Sequence, residues 1–209
     1  LLSLQARGLT YAPELAIGDG ALGFWKALGQ VYPGTRVQRC TVHKTANVLN
    51  KLPKSIQPQA KRMLHEIWRA ATKDDAKNAM DLFEKTFDAK YEGAVKCLVK
   101  DRDVLLTFFD FPAENWCHIR TTNPIESTFA TIRLRHRKTK GCGSAKASLA
   151  MMFKLAQSAS KGWRKLRGHH HIPDLIRGVK FIDGVNEHQL KEEATKPSQI
   201  RTIQTEIVA

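Results

Sequence analysis

The sequence predicts an α/β fold whose core is interrupted by an all-helical insertion, and three observations carry that reading. Residues 15–20 and 35–40 are short strand-like runs with one helical stretch between them, the order of a parallel strand–helix–strand unit. Residues 42–111 place their apolar side chains only at helical spacing. After Pro112 the chain reaches a new helix-start signature at Asn123, followed by a long basic stretch.

Residues 1–9 read as the end of an amphipathic helix stopped at Gly8. Leu15-Ala16-Ile17-Gly18-Asp19-Gly20 is an apolar strand that ends in a carboxylate between two glycines. Ala21, Leu22, Phe24, Trp25, Leu28 and Val31 then follow a helical period, and Thr35-Arg36-Val37-Gln38-Arg39-Cys40 alternates like a second strand. Ligands of parallel sheets gather at the carboxyl ends of strands, where Asp19 stands. The residues alone equally allow Asp19 to be the N-cap of the next helix.

In the insertion, Ala60, Met63, Leu64, Ile67, Trp68 and Ala71 form one apolar stripe. Ala76, Ala79, Met80, Phe83 and Phe87 form another behind a cap region at Thr72 and Asp74, and Val95, Leu98, Leu105, Phe108 and Phe109 continue it. Such stripes are core. Asn123 is a good N-cap, Pro124 suits the first helical position, and Glu126 falls three residues after the cap, completing a capping-box spacing. Ser144 is placed to cap a long helix with Leu149, Met152, Phe153, Ala156 and Trp163 on one face. His169-His170-His171 reads as a basic surface cluster, because neighbours in sequence do not share a helix face. From His188 onward the composition predicts a disordered tail. The division expected is therefore 1–41 and 116–187 as two parts of one core, 42–115 as the insertion, and 188–209 as the tail.

Charge is concentrated rather than spread. Residues 120–167 hold twelve Lys/Arg and a single carboxylate, Glu126, and so carry +11 of the formal +14. A solvated helix normally mixes signs. The unmixed run of Arg133, Arg135, Arg137, Lys138 and Lys140, with Arg120 before it, is expected to meet the phosphates of double-stranded DNA, which positions a duplex without reading its sequence. No apolar run approaches the roughly 20 residues that cross a bilayer, so no membrane association is expected. Four scattered cysteines suit a reducing cytoplasm better than a disulfide framework. The chain begins without Met, in what reads as mid-helix, and is expected to be a fragment.

Ala16-Ile17-Gly18-Asp19-Gly20-Ala21, Arg39-Cys40-Thr41-Val42-His43-Lys44, residues 121–129 with Thr-Thr-Asn-Pro-Ile-Glu-Ser, residues 133–143 with Lys-Gly-Cys-Gly, and Gly178-Val179-Lys180-Phe181 resemble the catalytic part of mutator-type DDE transposases of bacterial insertion sequences. The resemblance implies a partial RNase H-like core, with the helical insertion between the second catalytic Asp and the catalytic Glu. It implies that Asp19 and Glu126 are those catalytic, metal-ligating residues for Mg²⁺ (or Mn²⁺), acting in a homo-oligomer on DNA. The family's first Asp should lie on an earlier strand, and only Glu14 precedes Asp19 as an acid, so this chain is expected to hold an incomplete metal site. Cys40 and His43 carry the family's Cys-x-x-His spacing. Physically they are half of a tetrahedral zinc site, with Cys117 and His118 as a conceivable other half, or a hydrogen-bonding pair that positions the insertion. A non-enzymatic DNA-binding remnant is the alternative reading of the whole.

Overall fold

A computed structural model of the chain describes residues 1–138 and 143–195, with the backbone alone for 193–195. Helix α1 (Leu2–Ala6) is followed by Gly8 at φ +110°, a left-handed turn that glycine adopts without a side-chain clash. Strand β1 (Leu15–Gly18), helix α2 (Leu22–Val31) and strand β2 (Arg36–Arg39) form the expected unit. The strands pair in parallel with Leu15 opposite Arg36 and Gly18 opposite Arg39. This two-stranded sheet is all the parallel sheet among the described residues, so the fold is far more helical than the α/β expectation suggests.

The insertion runs through α3 (Thr41–Leu49), α4 (Gln57–Arg69), α5 (Lys73–Val99) and α6 (Arg102–Leu105), and two 3-10 turns complete it. Its predicted stripes bury one core that includes Val48, Leu64, Ile67, Met80, Phe83, Leu98, Phe108 and Phe109. Thr72 caps α5 by accepting from Asp75 N–H, and α5 breaks at Tyr91. Burying each large apolar side chain contributes about 1.5–3 kcal/mol. This is the chief stabilised body of the chain.

Polar contacts through Gln38 and Thr107 bolt the sheet to that body, and Lys44 ties its own helices together. Gln38, fully buried on β2, donates to the carbonyl of Leu105 at 3.0 Å and accepts from Phe108 N–H at 2.8 Å. Thr107 donates to Val37 O at 2.7 Å. Lys44, nearly buried on α3, donates to Cys97 O at 2.7 Å and pairs with Asp101. A lysine is rarely buried without such partners.

After α7 (Trp116–Ile119) the chain enters α8 (Asn123–Lys138) and then α9 (Ala145–Ser160), which packs against it. Ser144 caps α9 as expected, accepting from Ala147 N–H at 3.1 Å. A short helix α10 (Ile172–Ile176) leads to a hairpin of β3 (Phe181–Ile182) and β4 (Val185–Asn186). Its turn has Asp183 at φ 48° and Gly184 at φ 84°, the conformation that Asp-Gly favours. A Cβ at Gly184 would stand 2.5 Å from the Ala113 Cβ, so glycine lets the hairpin dock on the end of the insertion. The tail departs from expectation. Residues 187–195 form helix α11 (Glu187–Thr195), steadied by Lys191 paired with Glu187 at 2.7 Å. The rest of the predicted tail lies outside the described residues.

Candidate active site

Asp19 follows the last residue of β1, and the fold fixes its backbone from two sides. Its carbonyl accepts from the Trp25 indole at 2.7 Å and from the Arg39 guanidinium. That guanidinium also sits 4.9 Å over the Trp25 ring and 3.9 Å from Asp101. Gly18 has no room for more, since a Cβ there would meet the Trp25 ring at 2.8 Å. The carboxylate itself accepts from Ala21 N–H at 3.0 Å, and among the described residues no cationic side chain pairs with it. It does not cap α2, whose N-cap position is Ala21.

Glu126 arrives by a different route. Thr41 donates through both its N–H and its hydroxyl to the Arg120 carbonyl, each at 3.0 Å, so the loop before α8 lies along the start of α3. The cap is one residue earlier than the sequence suggests. Ile125 and Glu126 N–H both donate to the Thr122 carbonyl, and the Thr122 hydroxyl contacts the Glu126 carboxylate. Glu126 therefore stands one position beyond the capping-box place, and Asn123 is the first helical residue.

This puts Glu126 beside the Cys-x-x-His pair. His43 Nε2 is 3.7 Å from Glu126 Oε1, and His43 Nδ1 is 3.5 Å from the Thr122 hydroxyl. The Cys40 sulfur accepts from Thr122 N–H at 3.4 Å and lies 3.4 Å from its hydroxyl. A hydroxyl has one proton, so it serves Glu126 or Cys40 at one time, while the N–H holds the sulfur in either case. Burial pushes the Cys40 thiol up, but hydrogen bonds from Thr122 and His43 outweigh it and bring the thiol from 9.0 to about 7. The hydrogen bond with Cys40 raises the His43 imidazole, burial opposes it, and the charges of Cys40, Glu126 and Asp19 add to the rise.

Asp19, His43, Thr122 and Glu126 line one cleft of about 360 Å³ together with Ile17, Gly18, Ala21 and Phe24. Two carboxylates 107 residues apart in sequence thus meet over one space. Their oxygens are the hard donors that Mg²⁺ and Mn²⁺ take, and His43 stands beside them in the same cleft. Cys117 and His118 take no part: the first contacts Glu114 O at 3.6 Å and the second accepts from Arg167 N–H at 3.0 Å. Among the described residues they form no ligand cluster with Cys40 and His43.

The basic residues divide. Arg133, Arg135, Arg137 and Lys138 are exposed along the second half of α8. Arg120 is half-buried and donates to the Trp68 carbonyl at 2.8 Å, so its placement ties the loop to the insertion. Lys140 lies outside the described residues. Sequence reasoning missed Thr122, Trp25 and Arg39 as positioning residues. Trp25 was hidden in a helical stripe, and no spacing rule pairs Arg39 with a carbonyl 20 residues back.

Comparison with known proteins gives this arrangement its context. The chain is 56% identical over 185 residues to the transposase for insertion sequence element IST2 of Acidithiobacillus ferrooxidans, covering 88% of this chain and 62% of that protein. It is 52% identical over 184 residues to the transposase for insertion sequence element IS6120 of Mycolicibacterium smegmatis, covering 88% and 57% respectively. At 26% identity over 181 residues, the transposase for insertion sequence element ISRM5 of Rhizobium meliloti (strain 1021) is more distant, with 87% and 45% covered. The chain thus spans roughly 60% of the length of its two nearer relatives here. The sequence profile of the Transposase, Mutator family matches residues 1–165, and the chain belongs to that family.

Proposed function

We propose that this chain supplies two carboxylates, Asp19 and Glu126, to the active site of a DDE transposase that cuts and joins DNA at insertion-sequence ends. In this reading β1, α2 and β2 are part of an RNase H-like core, completed by residues outside this chain that bring the first Asp. The single observation that carries the proposal is the shared cleft of Asp19 and Glu126. The relatives' description as insertion-sequence transposases supports it.

The chemistry is two in-line displacements at phosphorus. In the first, a water oxygen bonds to phosphorus, the bond to the 3′ oxygen breaks, and a 3′ hydroxyl leaves. In the second, that 3′ oxygen bonds to a target phosphorus and displaces another 3′ oxygen, so one ester is exchanged for another without an energy source. Bound Mg²⁺ or Mn²⁺ supplies activation of the attacking oxygen and stabilisation of the leaving one. Asp19 and Glu126 would hold it. Trp25 and Arg39 fix the backbone of Asp19, while Thr122 and His43 orient Glu126. Arg133, Arg135, Arg137 and Lys138 hold the duplex by its phosphates, and a homo-oligomer would pair the two element ends. No helix among the described residues is long and apolar enough to cross a membrane.

The test is cleavage of element-end DNA by the full-length transposase with Mg²⁺. Glu126→Gln and Asp19→Asn should each reduce cutting by orders of magnitude while DNA affinity holds, and the double variant should be little worse, because ligands of one site act as a unit. Cutting by Glu126→Gln at near the wild-type rate would leave a DNA-binding role without catalysis at this cleft.

A further inference from the structure

Residues 169–171 form a 3-10 turn behind Gly168, which is left-handed at φ +67°. There the rings of His170 and His171 lie 4.1 Å apart at 43°. Both Nε2 atoms face a carboxylate more than 50 residues earlier: Glu114 Oε1 is 3.9 Å from His170 and 4.0 Å from His171. One ligand atom from each of the three residues falls within 4.8 Å of the others.

We propose that Glu114, His170 and His171 form a site for a divalent transition metal, with Zn²⁺ the best match, separate from the cleft of Asp19 and Glu126. Two imidazoles and one carboxylate are a donor set for zinc rather than for magnesium, which takes oxygen almost exclusively. Bonds of about 2.0–2.1 Å in a tetrahedral site put ligand atoms about 3.3 Å apart. The two imidazole–carboxylate separations exceed that by well under an ångström, and side-chain rotation, with Glu114 and His170 exposed, closes the site. Three protein ligands leave the fourth position to water.

The backbone under these side chains is already fixed in place. A Cβ on Gly168 would meet the Glu114 Cβ at 2.9 Å and Asn115 Nδ2 at 2.5 Å, so the left-handed glycine is what allows the two segments to touch. Asn115 donates to Arg167 O at 2.6 Å, and His118 accepts from Arg167 N–H at 3.0 Å. The His171 ring sits edge-on to Phe181 at 5.8 Å. His169 is turned away, with Nδ1 at 3.2 Å from Leu166 O. An ion here would tie the end of the insertion to the turn that follows the basic helices.

The experiment is a zinc titration of the purified, chelator-stripped protein against a chromophoric competitor. One equivalent of Zn²⁺ is expected, and Glu114→Gln and His171→Ala should each weaken it by at least about tenfold, since loss of even an outer partner costs a metal site that much. His169→Ala and Glu126→Gln should leave it unchanged. Absence of a stoichiometric site, or retention of full affinity by Glu114→Gln and His171→Ala, would overturn the proposal. Should a variant not fold, the visible spectrum of Co²⁺ added to the unaltered protein decides. Bands of a four- or five-coordinate ion support the site, and the spectrum of the aqueous ion sinks it.

Discussion

His43 Nε2 stands 3.7 Å from Glu126 Oε1, which makes the first helix of the insertion a wall of the candidate active site. The second link between these residues is the Thr122 hydroxyl, which contacts the carboxylate and approaches His43 Nδ1 at 3.5 Å. The insertion therefore does more than fill the gap between Asp19 and Glu126. It orients the second of them.

Thr122→Val tests that orientation directly. The methyl keeps the shape of the side chain but cannot hydrogen-bond to Glu126, so the carboxylate loses one of its two constraints. Misplacement of a reacting group by about an ångström can cost on the order of a hundredfold. We expect metal-dependent cleavage by the full-length transposase to fall about ten- to hundredfold, with a stability loss near 1 kcal/mol for one hydrogen bond. Thr122→Ser should restore most of the activity. Equal activity of the valine and serine variants would show that the hydroxyl does not position Glu126.

Lys44 bears on the frame behind the site. Its ammonium bonds to Cys97 O and to Asp101, whose other oxygen is 3.9 Å from the same Arg39 that clamps Asp19. Removing one partner of a buried pair leaves a charge uncompensated. Lys44→Met should therefore destabilise the fold by about 3 kcal/mol in urea unfolding. Asp101→Asn in the same chain should add less than its separate effect, because the two residues share one network. Full additivity would mean that the pair is not coupled.

Cys40 sets a pH dependence whose sign follows from its shift. The thiol is lowered from 9.0 in the unfolded chain to about 7 in the folded one, so folding favours the thiolate. Its contribution is absent below about pH 7, grows between about 7 and 9, and is complete above 9. His43 is raised and acts in the opposite sense, with its contribution present below 6.5 and lost as pH rises through the folded value. Denaturation of the wild type minus that of Cys40→Ser should yield a stability difference that rises between about pH 7 and 9. A flat difference would exclude thiolate formation at Cys40 in the folded state.

The sequence made some of this legible and concealed the rest for identifiable reasons. The strand–helix–strand unit and the stripes of α4 and α5 were readable because burial imposes a period on apolar residues. The meeting of Asp19 with Glu126 was available only through resemblance, since no local pattern pairs residues 107 positions apart. Asn123 looked like the cap because Asn and Thr both suit that place, and the carbonyl bonds of Thr122 decided it. The histidines read as a basic surface cluster because no local pattern pairs residues 170 and 171 with Glu114, more than 50 positions earlier. Arg120 counted as one more cation until its hydrogen bond to Trp68 O set it apart.

That division among the cations gives the last prediction. Each phosphate neutralised by a basic side chain releases counterions, so log affinity for duplex DNA falls with log salt by about 0.9 per contact. Arg133, Arg135 and Arg137 are exposed on α8 and lie beyond Glu126 on the same helix. Replacing all three with Ala should flatten the salt slope by up to about 2.7, with little change in stability because none is buried. Arg120→Ala should behave in the opposite way. It removes the bond to the Trp68 carbonyl and should cost about 1–3 kcal/mol of stability while leaving the slope nearly unchanged. Measuring affinity for element-end DNA at several salt concentrations, beside thermal unfolding of each variant, separates the two roles. A flattened slope for Arg120→Ala with no loss of stability would return Arg120 to the DNA interface, and an unchanged slope for the triple variant would remove α8 from it.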